Sequence, residues 1–276
     1  MHIDGRTEII AHLGWPTHSF KSPLIYNPYF ESAGINVLVM PMACKADSFA
    51  RVLKGLFELD NVRGALITMP HKVSVVALLD EVSTAVQVCG ACNAVRRNAD
   101  GKLVGEQFDG EGFVRGVMRK GMQLAGARCL VVGCGGVGRP IAASLACAGA
   151  SEIALFDASE HATADLAQRL RTHYPQVKVT TQGNDPAGFD LVVNATPLGM
   201  EPGDALPVDV MRLEARTFVG DVVMRSAITP LLAAAQARGC KVQAGTDMLF
   251  EMIPPYLEFF GLPVATPEQL RAGARL

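Results

Sequence analysis

Apolar residues follow two rhythms along this chain: short unbroken runs, and stretches in which they return every third or fourth position. In the middle of the chain, the runs at 128–132, 152–157, 177–181, 190–194 and 217–222 read as strands, the first of them with the uninterrupted apolar character of a strand buried on both faces of a parallel sheet. Between them, an alanine-rich stretch at 140–150 predicts a helix. A second is opened by Ser159 and carries Ala162, Leu166 and Leu170 at four-residue spacing. This βαβαβ alternation predicts an open parallel sheet flanked by helices. Upstream, strand runs at 9–13, 35–39 and 65–69 alternate with helical stretches at 45–59 and 72–79, so the first ~110 residues predict a second α/β lobe. Asp109-Gly110-Glu111-Gly112 caps a helix over 113–124 that crosses between the lobes. Thr229-Pro230 opens a helix that Gly239 closes, and Thr266-Pro267-Glu268-Gln269 has the capping-box pattern.

Composition narrows the class. A chain of 276 residues can bury a full core without disulfides or a structural metal. Apolar residues make up 49% and charged residues 19%, which excludes disorder. The net charge of −2 argues against nucleic acid or an anionic membrane as the main partner. No apolar run reaches the ~20 residues of a membrane span, and the N-terminus lacks the pattern of a signal peptide, so a cytoplasmic protein is expected. Seven scattered cysteines read as small buried apolar residues, not a disulfide framework. Cys89-Gly90-Ala91-Cys92 has the spacing of a redox pair or half a zinc site, but none of the six histidines sits where a further ligand is needed, and no metal is expected.

Candidate chemistry starts at Gly133-Cys134-Gly135-Gly136-Val137-Gly138, between a strand and a helix, with Asp157 at the end of the next strand. That context turns a weak glycine motif into a dinucleotide fingerprint. The glycines permit a tight turn and bring backbone N–H groups to a pyrophosphate at a helix N-terminus, and the acid accepts from the ribose hydroxyls. A carboxylate at 157 repels a 2′-phosphate, and Ala158-Ser159-Glu160 supplies no cation, so NAD is favoured over NADP. Arg139 could bind such a phosphate only from the other side. An enzyme that oxidises an alcohol with nicotinamide also needs a proton acceptor. Lys72 and Asp109 stand out in apolar or glycine-rich surroundings; a lysine ordinarily titrates near ~10.4, so it would need partial burial and a positioning carboxylate to act as that base.

Around these residues the sequence resembles the shikimate dehydrogenase family, whose NVTxPxK, GAxNT and NTDG motifs bracket a Lys–Asp pair. The matching segments are Gly14-Trp15-Pro16 through Ser22-Pro23, Ile67 to Lys72, Gly90-Ala91-Cys92-Asn93, Asp109-Gly110, Gly133 to Gly138, Asn194 to Met200, Asp221, Thr229 to Leu232, and Gly245 with Met248-Leu249. The resemblance implies an α/β protein of two lobes. Residues 1–110 would form the catalytic and substrate lobe, 111–242 a Rossmann dinucleotide-binding lobe, and 243–276 helices returning to the first lobe. It implies Lys72 as acid/base with Asp109 as its partner, and Ser22, Thr68 and Asn93 at the substrate. Gly133, Gly135, Gly136, Val137, Gly138 and Asp157 would meet the dinucleotide, with Asn194, Thr196, Pro197, Met200 and Gly245 toward its nicotinamide end. It further implies a small-molecule substrate, a monomer or homodimer, and a place in aromatic amino acid biosynthesis.

The departures are as specific. Relatives hold the substrate carboxylate with two serines in S-x-S-P and a tyrosine in D-x-x-Y; here Phe20 replaces the first serine and Met224 the tyrosine. Phe108 replaces the threonine of NTD, Leu66 the asparagine of NVTxP, and Met252 stands where a glutamine is expected. Each lost partner of a buried hydroxyl or carboxylate costs ~1–3 kcal/mol, so shikimate itself should bind less well unless other groups compensate; shikimate or quinate is the default substrate the resemblance implies, and a less polar cyclic analogue the other. Ser19, Lys21, Tyr26 or Arg225 could compensate. The alternative is a non-catalytic dinucleotide sensor on the same fold, which would have no need of both Lys72 and Asp109.

Overall fold

The computed structural model describes residues 3–18, 20–181 and 183–276, which divide into two compact units, 1–108 with 253–276, and 109–252. Among the described residues the strands form two six-stranded sheets.

The first unit starts with β1 (Glu8–Gly14), α1 (Ser22–Ser32), β2 (Val37–Ala43), α2 (Phe49–Leu56) and β3 (Val62–Ile67). It continues through β4 (Glu81–Val82), α3 (Thr84–Cys89), β5 (Ala94–Arg97) and β6 (Leu103–Glu106). The sheet order is β2-β1-β3-β5-β6-β4, with β1 parallel to both its neighbours and β5 antiparallel to β3 and β6. On one face Leu13, Ala65 and Ile67 pack under Phe49 and Leu53 of α2. The stretch expected to be helical at 72–79 makes only a short 3-10 turn, Ser74–Leu78. Its β-branched run Val73, Val75 and Val76 disfavours a longer helix. By contrast α1 carries Pro28 inside it, a residue that reads as a helix breaker, yet Ile25, Tyr26 and Phe30 bury its core face.

The second unit comprises α4 (Asp109–Arg119), β7 (Arg128–Val132), α5 (Gly138–Cys147), β8 (Glu152–Phe156), α6 (Glu160–His173), β9 (Lys178–Thr180), β10 (Leu191–Asn194), β11 (Phe218–Asp221), α7 (Pro230–Ala237), β12 (Lys241–Gln243) and α8 (Gly245–Glu251). All its strands are parallel in the order β12-β11-β10-β7-β8-β9, the doubly wound arrangement with its switch point between β7 and β10. Ser159 and Thr229 cap α6 and α7 through their hydroxyls.

The sequence placed 243–276 together, but α8 stays with the second unit. A Cβ on Gly112 of α4 would lie 2.9 Å from the Met248 carbonyl, and Arg119 and Lys120 reach Glu251 and Asp247 at 2.6 and 2.5 Å. Only α9 (Ile253–Phe259) and α10 (Pro267–Gly273) join the first unit, where Arg63 donates to the Phe260 carbonyl at 2.8 Å and the Tyr29 hydroxyl to that of Pro263 at 2.8 Å. Among the described residues, no helix is long and apolar enough to cross a membrane, and no cluster of metal-ligating side chains occurs.

Candidate active site

After β3 the first unit turns through Thr68, Met69, Pro70, His71 and Lys72, with a cis bond before Pro70. The Thr68 N–H donates to the Leu13 carbonyl at 3.0 Å and the Trp15 N–H to that of Met69 at 2.9 Å, which ties the turn to the end of β1. The Lys72 carbonyl accepts from the Cys92 N–H at 2.8 Å, bringing Lys72 beside Asn93. Asn93 is 1% exposed, and its Oδ1 accepts from the Phe108 N–H at 3.0 Å. Its Nδ2 is buried with no partner among the described residues, as expected of an amide awaiting a ligand. Phe20 and Thr68 meet at Gly14, where an added Cβ would lie 2.8 Å from Phe20 Cζ and against Thr68 Cγ2. Ser22 is half-buried at the first position of α1.

His12 on β1 escaped the sequence reading. It is 7% exposed, its ring stacks on Phe20 with centroids 4.0 Å apart, and its Nδ1 is buried without a partner among the described residues. Burial, and secondarily the charge of Lys72, lower its imidazole to about 4, so it is neutral at ordinary pH. The available signal was a histidine inside an otherwise apolar strand run.

Phe108 is 6% exposed and packs on Tyr256, centroids 4.7 Å apart, and on Phe259, because the aromatic faces of α9 return over it. Tyr26 is 2% exposed in the core face of α1, and Arg225 is drawn to Glu201 at 2.6 Å, so neither is presented as an anion clamp. Lys21 is exposed, and Ser19 lies outside the described residues. In the second unit Met224 is 37% exposed after β11, while Met252 caps α8 and packs against Gly112. Asp109 is 4% exposed and opens α4. The Cys89 and Cys92 thiols donate to the Ala91 and Ala94 carbonyls, and burial pushes Cys92 up to about 12, which disfavours its thiolate.

The glycine loop leads from β7 into α5. Gly133 has φ +102°, and a Cβ there would lie 2.7 Å from the Ala195 carbonyl; one at Gly138 would overlap the Gly133 carbonyl oxygen. Side chains at Gly135 and Gly136 would instead project into open space, so the backbone there forms an uncovered cradle at the start of α5. Such a cradle at the β7/β10 switch point fits a dinucleotide pyrophosphate. Asp157 accepts from the Cys134 N–H at 2.7 Å and from the Ser159 N–H at 2.8 Å, leaving lone pairs for ribose hydroxyls. The groove beside it is lined by Phe156, Asp157, Ala158, Glu160, Thr163 and Thr181 among others, with no basic lining residue among those described. Arg139 is committed to the Cys134 carbonyl at 3.0 Å and to Asp165 at 2.6 Å.

The expected nicotinamide-end residues divide. Asn194 is fully buried and spends its amide on the Leu198 carbonyl, Asp221 Oδ1 and the Thr196 N–H and hydroxyl, so its side chain shapes the loop and offers nothing to a ligand. Thr196 is half-buried; Pro197 and Met200 are exposed on that loop. Gly245 is required by close approach, since a Cβ would lie 2.6 Å from the Val222 carbonyl oxygen.

A family model described as the shikimate dehydrogenase substrate binding domain matches residues 13–95, and one for the ThiF family matches 114–181. The chain is 33% identical over 257 residues to the shikimate dehydrogenase (NADP(+)) of Geobacter metallireducens, covering 90% of this chain and 89% of that one. A shikimate 5-dehydrogenase from Listeria monocytogenes, solved with shikimate and NAD, shares the fold with a TM-score of 0.92 at 24% identity, over 99% and 98% of the two chains. The ligand-free 5-ketofructose reductase of Gluconobacter sp. strain CHM43 superposes with a TM-score of 0.89 at 26% identity, over 98% of each.

Proposed function

The chain belongs to the shikimate dehydrogenase family of NAD(P)-dependent oxidoreductases, and from that premise we propose that it exchanges a hydride between NAD and the hydroxyl or ketone carbon of a small polyhydroxylated substrate. Shikimate with 3-dehydroshikimate, quinate, and an uncharged keto sugar of the 5-ketofructose kind are the candidates.

Bound NAD would supply the hydride acceptor. On the protein side, Lys72 Nζ takes the hydroxyl proton during oxidation and returns it during reduction, with Asp109 as its positioning carboxylate. Thr68 and Asn93 hold substrate hydroxyls, the latter through Nδ2. The observation that carries this reading is the buried Asn93 Nδ2, without a partner among the described residues, next to Cys92, whose N–H bonds the Lys72 carbonyl. The preference for NAD is supported by the carboxylate of Asp157, a groove without basic lining and the engagement of Arg139, although the Geobacter relative is named for NADP(+).

The test is NADH formation or consumption against all three candidate substrates. Lys72→Ala should lower kcat by ~10²–10⁴ while leaving NAD affinity intact. Full activity of Lys72→Ala, or a wild-type protein that binds NAD yet turns over no candidate, would refute the assignment.

A further inference from the structure

Three observations converge on His12. Its side chain is nine-tenths buried on β1, and its Nδ1 has no partner among the described residues. The ring of Phe20 covers its face at 4.0 Å, and Phe20 in turn meets Thr68 at Gly14. In the sheet it lies between Pro41 and Leu66, neither of which can hydrogen-bond to an imidazole through its side chain. A buried hydrogen-bonding nitrogen left unmet among residues expected at the substrate needs a ligand or an ordered water as partner.

We propose that His12 selects the substrate, hydrogen-bonding through Nδ1 to an uncharged hydroxyl or carbonyl oxygen, so that the enzyme prefers a carboxylate-free polyhydroxy ketone to an acid. This rests on the dehydrogenase reading above and deepens it. A neutral imidazole matches a hydroxyl in either tautomer but brings no charge to a carboxylate, whose strong partners are cationic. Two of the side chains that could have replaced the missing serine are turned to other uses: Tyr26 is in the core and Arg225 holds Glu201. Phe20 adds an apolar wall where a carboxylate would lose its hydration.

The experiment compares 5-ketofructose, 3-dehydroshikimate and the uncharged carboxamide of 3-dehydroshikimate as substrates for reduction by wild type, His12→Val and His12→Asn. Wild type should favour the uncharged members by about tenfold or more in kcat/KM. His12→Val should raise KM for them about tenfold with little change in kcat, and His12→Asn, which keeps a hydrogen-bonding group, should recover part of the loss. Unchanged Trp15 fluorescence and NAD affinity establish that the variants fold. A wild type that prefers the acid, or a His12→Val that changes kcat and KM alike for every substrate, overturns the proposal, since a buried water or a structural role would then explain the nitrogen. If nothing turns over, the dehydrogenase reading fails separately, and calorimetric binding of the same three ligands to the NAD complex decides His12: equal affinity of wild type and His12→Val, or no binding, overturns it.

Discussion

Acid should unfold the first unit through His12. Burial and the nearby Lys72 charge hold its folded imidazole at about 4, whereas an exposed histidine titrates near about 6.5. The unfolded chain therefore takes up a proton that the folded chain refuses. The stability is fully present above the unfolded value and is lost as pH falls from about 6.5 through about 4. A gap of roughly 2.5 units corresponds to about 3 kcal/mol in full, and to about 2.5 kcal/mol by pH ~4.5. The chain has one tryptophan, Trp15, in the same unit, so its fluorescence in urea follows the unit that carries His12. Wild type and His12→Val are compared at pH ~7.5 and ~4.5; carboxylates titrate in both, so the difference of differences isolates the imidazole. Wild type should lose about 2.5 kcal/mol more than the variant. Equal losses would refute the reasoning and mean that His12 is hydrated or charged in the folded protein.

Three further outcomes follow from the geometry. Asp157→Asn keeps an acceptor for the Cys134 N–H while removing the charge, so the NADP-to-NAD ratio of kcat/KM should rise about tenfold, read by steady-state kinetics with both cofactors. Gly110→Ala places a methyl on the Pro140 carbonyl where α4 crosses α5, and should cost about 1–3 kcal/mol in thermal unfolding; no change would mean that the helices shift at no cost. Of seven cysteines only Cys147 is exposed, so a thiol reagent should modify one site quickly in the folded protein, and loss of that fast phase in Cys147→Ser is the check.

Much of the second unit was legible because its signals are local. The run at 128–132 is β7, Ser159 and Thr229 cap the helices expected of them, and the glycine spacing marks the loop where backbone must approach backbone. The first unit was less legible because long-range packing overrides local preference there. Pro28 concealed α1, which its buried core face holds as a helix, and at 72–79 an apolar stretch expected to be helical is kept to a short turn by its β-branched residues. Phe108 read as a pocket change, yet Tyr256 and Phe259, almost 150 residues away in sequence, take it into an aromatic cluster.

From the sequence alone came the α/β alternation, the glycine fingerprint with its acid at 157, and the family, because periodicity, turn chemistry and motif spacing are written in neighbouring residues. Tertiary structure alone decided which polar groups have partners. Asn194 proved to be consumed by its own loop and by Asp221 of β11, whereas Asn93 and His12 each retain a buried nitrogen with no partner among the described residues. That distinction depends on what distant strands and helices bring to each atom, and burial then sets its cost, so no local pattern can encode it.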